Sequence, residues 1–422
     1  MKRKITIILL FTMVLLTLFG CAGGNQQTPA STSSAEKPAA KAQLTVWHYF
    51  TDSTYDTFAK LVKDYNASPT AKGTITEQYI PRNDLLTKYT LGVVSNELPD
   101  IAMVDNPDAA SFAAMGMFAD ITAKFNAWSD NKYQPGPLNS GKYKDKQYTL
   151  PIRSNDLALW TNDAMMKAAG VDKLPTTWDE LNATCERLKK ANSNVYPLAF
   201  AAVKSEEATF QFLPFLQSAG ANIDSVGSVE GIKALTYITN LVKNKYVSGE
   251  VINWTQNDLE KQFAAGNVAM MVNGPWHIPN LAKDAPNLKY TVVYIPKDKM
   301  YASSLGGENF GITKACKNVD AGWDFMTWLL GTDNSVKFNI AAGTISPHSN
   351  ATAEMQYPNN PVMKVFIDEL AYAVPRGPNP KWGEVSAAIQ GAIQESITGA
   401  KAPDAAAKDA MDKIAKVNAS IK

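Results

Sequence analysis

Leu44-Thr45-Val46-Trp47-His48-Tyr49-Phe50 opens a run of alternating elements that decides the fold of this chain. Its aromatic and β-branched residues read as a strand. Over residues 54–65, Tyr55, Phe58, Leu61, Val62 and Tyr65 recur every three or four positions, the spacing of an amphipathic helix. Residues 74–80 read as a second strand that stops at Pro81, residues 84–94 as a helix, and Ile101-Ala102-Met103-Val104 as a short buried strand. Strands and helices in that rhythm predict a parallel sheet in an α/β domain. Ligands of such sheets bind beyond the carboxyl ends of the strands. Those ends carry Trp47 to Ser53, Pro81 to Asn83, and Asp105-Asn106.

Working outward, the middle of the chain is richer in helix, with helical spacing over residues 178–190, 207–218, 229–245 and 259–265. Strands are expected between them at 157–160, 198–201, 268–272 and 290–295. Residues 321–330, 361–372, 385–398 and 402–421 are again helical in pattern. No internal repeat is visible.

The other end of the chain reads differently. Lys2, Arg3 and Lys4 precede an apolar run from Ile5 to Phe19, then Gly20 and Cys21. A basic start, a short apolar stretch and a small exit residue make a secretory signal peptide over residues 1–20. The run falls short of the roughly 20 residues that span a bilayer as a helix. Leu18-Phe19-Gly20-Cys21 resembles the bacterial lipobox, whose cysteine is lipidated and becomes the mature N-terminus. That resemblance implies a protein tethered by lipid to the extracytoplasmic face of the bacterial cell membrane. Residues 21–42 continue as a linker without large apolar side chains after the cysteine, a composition that cannot bury enough surface to order itself.

Composition bounds the rest. About 380 residues follow the linker, enough for two domains. Without Lys2, Arg3 and Lys4, 38 basic side chains face 40 acidic ones. That balance excludes the footprint of a nucleic-acid binder and leaves no basic patch for a lipid surface. Besides Cys21, only Cys185 and Cys316 remain, too few for a disulfide framework.

Phe263-Ala-Ala-Gly-Asn-Val-Ala-Met-Met-Val-Asn273-Gly274-Pro275-Trp276 reads as a helix end, a glycine cap, a buried strand and a turn that presents a tryptophan. Here the sequence resembles the family 1 extracellular solute-binding proteins of ABC importers, which include the maltodextrin-binding proteins. The resemblance runs in order from about Leu44 to the end. It takes in Leu98-Pro99-Asp100-Ile101, Gly141 to Pro151, Pro175-Thr176-Thr177-Trp178-Asp179-Glu180-Leu181, Leu305-Gly306-Gly307-Glu308-Asn309 and Ser346-Pro347. It implies a two-lobed periplasmic-binding-protein-like fold, each lobe a mainly parallel sheet flanked by helices, with the ligand cleft between lobes. Carried onto this chain, lobe one is 43–152 plus 307–346 and lobe two 153–306 plus 347–422. The crossovers would fall near Pro151, Gly306 and Pro347.

The same resemblance, with the strand-end argument, nominates ligand contacts. A flat ring stacks on the apolar face of a sugar while hydroxyls need directional partners. Trp47 and Tyr49 end the first strand, Trp276 follows the Asn-Gly-Pro turn, and Trp382 starts a helix where the family places an aromatic. Trp178, Trp323 and Trp328, on helices, read as core. Asp105 and Asn106 follow the third strand, and Asp105 serves either a sugar hydroxyl or the cap of the helix begun at Pro107. Arg153 and Asn155 lie past the first crossover, Glu206 and Glu207 past the strand near 198, and Glu308 and Asn309 past the glycine pair. Of the mature chain's four arginines, Arg82, Arg153 and Arg376 fall in these loops, where their forks hydrogen-bond hydroxyls, pair with carboxylates or grip an anionic group.

No Gly-x-Ser-x-Gly elbow, Walker loop, His-Glu-x-x-His pair or Cys-x-x-Cys is present, and His48, His277 and His348 lack ligand spacing. Neither a metal nor another cofactor is expected. The expectation is a monomeric, lipid-anchored receptor, not an enzyme, that captures an oligosaccharide by hinged closure and hands it to the permease subunits of an ABC importer. Two alternatives stay open: a receptor for an anionic ligand such as glycerol-3-phosphate or an acidic sugar, and a secreted glycosidase built on a carboxylate pair.

Overall fold

The computed structural model describes residues 41–421. The signal peptide, Cys21 and nearly all of the linker lie outside the described residues. Two sheets organise the chain into a two-lobed α/β fold. The first has the order Gly73–Tyr79, Ala42–His48, Ile101–Asp105, Glu308–Ile312, Leu150–Pro151. The second has the order Tyr290–Val293, Ala158–Asn162, Val268–Asn273, Tyr196–Ala199.

The sheets are mixed, which corrects the expectation of mainly parallel ones. Ala42–His48 runs parallel to both of its neighbours, whereas Glu308–Ile312 is antiparallel to both of its own. In the second sheet only Tyr196–Ala199 and Val268–Asn273 pair in parallel. The cause lies in the connections. The first three strands are joined by the helices Asp52–Ala67 and Arg82–Ser95, and a helical crossover returns the chain to the same end of a sheet. Glu308–Ile312 instead arrives directly from the second sheet's side, with no covering helix before it, so its direction follows its point of entry.

Each sheet has its own apolar core. Phe58, buried on Asp52–Ala67, stacks against Phe310 at 5.7 Å between centroids, with Phe50, Phe325 and Phe338 around them. Trp160 and Phe366 pack under the second sheet at 5.8 Å. A fully buried side chain of this size contributes about 1.5–3 kcal/mol, so these aromatic clusters weigh heavily in the stability of each lobe. Among the described residues, Cys185 and Cys316 have no disulfide partner and are buried in the apolar cores.

Between the sheets, several stretches run side by side. Gly306 and Asn155 exchange both backbone hydrogen bonds, at 2.8 and 3.1 Å, and Ser154 and Ile345 do the same at 2.7 and 2.9 Å. Gly307 has φ +141°, and a Cβ there would lie 2.2 Å from the Arg153 carbonyl oxygen.

Next to this crossing lies a buried acid pair. Asp156 and Glu369 are both fully buried, and among the described residues only one of their four carboxyl oxygens has a partner, the Ile295 backbone N–H at 3.1 Å. Burial pushes both carboxyls well above the usual range, and the charge of Glu369 adds to the effect on Asp156. The folded state therefore holds protons that the unfolded chain releases above about pH 4, and stability contributed by the pair falls as pH rises. Asp156→Asn, which replaces the acid by an amide donor, should raise the melting temperature, and the gain should grow from about pH 4 to pH 8. A gain that does not change with pH would show that the two carboxyls do not titrate as described.

Candidate ligand-binding cleft

The loops that leave the two sheets face each other across a cavity of about 530 Å³. The first sheet's side supplies Tyr49, Thr51, Tyr79, Arg82, Asp105 and Glu308, and the second's supplies Glu206, Glu207, Phe210, Gln256 and Trp276. A smaller compartment of about 160 Å³ adjoins it, lined by residues 51–54 at the start of Asp52–Ala67 and by Asn257 and Asn280. Trp276, Tyr49 and Arg153 border both.

Trp276 owes its position to the turn before it. Asn273 ends a fully buried strand, and its amide fixes the turn by accepting from the Gly274 N–H at 3.0 Å and donating to the Gln256 carbonyl at 3.0 Å. Gly274 lets the indole fold back, since a Cβ there would sit 1.9 Å from the ring. The ring stays half-buried, with Phe210 at 6.4 Å. Trp276 thus offers a flat apolar face to the cavity.

Three guanidinium groups run through the wall, each bonded to carboxylate. Arg153 makes a two-pronged pair with Glu308, its second bond 2.6 Å, and lies over the Phe50 ring at 5.2 Å. Arg82 donates to Asp108 at 2.8 Å. Arg376 donates to both oxygens of Asp105, at 2.7 and 3.1 Å, to Glu206 at 2.8 Å and to Asn106 at 3.1 Å. Its guanidinium stacks 4.5 Å above Phe210. Desolvation opposes charge on Arg82, Arg153 and Arg376, but the facing carboxylates outweigh it and raise all three pKa values. Lys204, at the exposed rim, is the lining cation without a carboxylate partner among the described residues.

Glu206 and Glu207 both reach the cavity. They open Glu206–Ser218 behind the capping hydroxyl of Ser205, where acidic residues suit the helix dipole. Glu206 also accepts from the Ser386 hydroxyl at 2.5 Å, while Glu207 takes the Gln256 N–H at 2.6 Å. Burial raises the pKa of Glu207. Asp105 stands at the cap position of Asn106–Ala114 without capping it, because its carboxylate is committed to the arginines.

Of the residues nominated from sequence, Tyr49, Asp105, Arg153, Asn155, Glu206, Glu207, Trp276, Glu308 and Arg376 come together around the cavity. Four do not. Trp47 is still inside its strand, and its ring stacks on Tyr89 at 6.1 Å. Asn106 is buried behind Asp105, holding Arg376. Asn309 is fully buried, bonded to Ser140 and Thr149 at 3.0 Å. Trp382 is 3 % exposed in the second sheet's core, where the start of its helix turns it inward. Conversely, Tyr79, Phe210 and Gln256 line the cavity without having been singled out. Phe210 sits among apolar residues of a helix, a pattern that reads as core.

A family model described as bacterial extracellular solute-binding protein matches residues 60–365. The chain is 24% identical over 383 residues to a maltotriose-binding protein of Pyrococcus abyssi, covering 87% of this chain and 80% of that protein. A crystal structure of an ABC transporter solute-binding protein from Thermotoga lettingae, bound with α-D-tagatose, superposes with a TM-score of 0.81 at 25% identity. It covers 89% of this chain and 100% of the other. A receptor of Streptomyces glaucescens, solved unliganded and with acarbose, superposes with a TM-score of 0.82 at 22% identity, over 91% of this chain and 100% of that one.

Proposed function

Because the chain belongs to the bacterial extracellular solute-binding protein family, we propose that it captures a neutral oligosaccharide in the cavity beside Trp276 and delivers it to the permease of an ABC importer. In this reading Cys21 carries the lipid anchor, the protein is monomeric, and the two lobes, 43–152 plus 307–346 and 153–306 plus 347–422, close over the sugar. The relatives that bind maltotriose, tagatose and acarbose support a sugar ligand.

The observation that carries the reading is the wall itself. Tyr49, Tyr79, Phe210 and Trp276 stand beside carboxylates and amides, the mixture that grips a sugar's apolar face and its hydroxyls together. The three guanidiniums are already matched to carboxylates, so inside the cavity an anionic guest would have to displace a wall carboxylate, with only Lys204 at the exposed rim left to pair with it. That favours the neutral ligand over glycerol-3-phosphate or an acidic sugar.

A thermal-shift panel of neutral mono- and oligosaccharides, with glycerol-3-phosphate beside them, tests the proposal. A neutral oligosaccharide at a hundred times its Kd should stabilise the protein by about 2.7 kcal/mol. A shift with glycerol-3-phosphate alone would replace the neutral reading by the anionic one. The sugar should be recovered intact after long incubation. Catalytic turnover, read by chromatography, would favour the glycosidase.

A further inference from the structure

Arg376 is placed where a ligand contact was expected, yet its donors are turned into the protein. It leaves the short strand Ala373–Pro375, which pairs with Ser303–Leu305 just before the glycine pair at 306–307. Its side chain is 4 % exposed. One terminal nitrogen bonds Asp105 at 2.7 Å and Asn106 at 3.1 Å, both at the carboxyl end of a first-sheet strand. The other bonds Asp105 at 3.1 Å and Glu206 at 2.8 Å, the latter at the start of a helix on the second sheet's side. Two carboxylates from opposite sides of the cleft thus share one cation.

From this geometry we infer that Arg376 is a positioning residue, a tie across the cleft floor that draws the ligand-free protein toward its closed form. The inference rests on the closure proposed above. With the guanidinium present, Asp105 and Glu206 are joined. Without it, Asp105 keeps only its longer bond to Arg82, at 3.4 Å, and faces Glu206 as a like charge in a region of low dielectric, which pushes the walls apart. Ser111 and Asn379 meet beside the tie, with the hydroxyl donating to the carbonyl at 3.4 Å, so the same two surfaces are already in contact there. Closure energy is then divided between the protein and its guest. A protein that partly closes alone binds more tightly, because apparent affinity scales with the fraction already competent.

Small-angle scattering on ligand-free protein is the test. Arg376→Met keeps an unbranched apolar side chain beside Phe210 and removes the charge, and it should give a larger radius of gyration than wild type. Should it fail to fold, Asp105→Asn with Glu206→Gln keeps Arg376, unties the two sides without repulsion, and should give an intermediate radius. Folded variants with the wild-type radius would overturn the tie. The closure reading is judged separately on wild type, by adding maltotriose or whichever panel sugar shifts the melting temperature more. If that sugar binds and the radius does not shrink, it is closure that fails. If it shrinks while the ligand-free radii coincide, only the tie is lost.

Discussion

Gly307→Ala is expected to destabilise the protein by about 3 kcal/mol or more, read as a lower denaturant midpoint. At φ +141° an L residue is strained before any neighbour is counted. The added methyl would also meet the Arg153 carbonyl oxygen at 2.2 Å. That carbonyl cannot easily yield, because the next residue, Ser154, is held by paired backbone bonds to Ile345. Gly391 is the natural control. It lies inside the helix Trp382–Ile397 with nothing within 4 Å of a built Cβ, so Gly391→Ala should stabilise by about 0.5–1 kcal/mol. A Gly307→Ala protein within about 0.5 kcal/mol of wild type would mean that the crossing is more pliable than its hydrogen bonds indicate.

The second large effect falls on binding. Trp276→Ala should weaken the best panel sugar by about 2 kcal/mol or more, roughly thirtyfold, as loss of a buried aromatic anchor does. Stability without sugar should fall by less than the 3–5 kcal/mol typical of a core tryptophan, because this ring is only half-buried. Trp160→Ala supplies the opposite pattern for comparison, with a large loss of stability from a fully buried ring. Calorimetric titration beside a thermal melt separates the two. A Trp276→Ala protein that melts early but binds sugar normally while folded would move this residue from cleft to core.

Much of this was legible in the sequence because periodicity is a local signal. Tyr55, Phe58, Leu61, Val62 and Tyr65 announce a helix whatever lies around them, and the helix found is Asp52–Ala67. Strand direction is not local. Nothing in Glu308–Ile312 says that it will lie between Ile101–Asp105 and Leu150–Pro151 and run against both. The candidate site divides in the same way. Asp105, Glu206 and Glu308 were found because strand ends and glycine turns mark loops that can face a ligand. Trp382 and Asn309 were nominated by their position in the chain and by the family resemblance, and the orientation of a side chain at an element's start is set by packing that no spacing reveals. Phe210 was missed for the converse reason, since one face of an apolar helix can border a cavity while every residue looks like core.

The placement of Glu308–Ile312 also bears on when this protein can finish folding. That strand's neighbour, Ile101–Asp105, lies roughly two hundred residues earlier in the chain, so the first sheet cannot be completed until most of the polypeptide is available. Such high contact order slows folding, since a long loop must close before its contacts reward it. While the later half of the chain is still being made the first sheet stays open on one side, and the arrival of this strand decides when it locks.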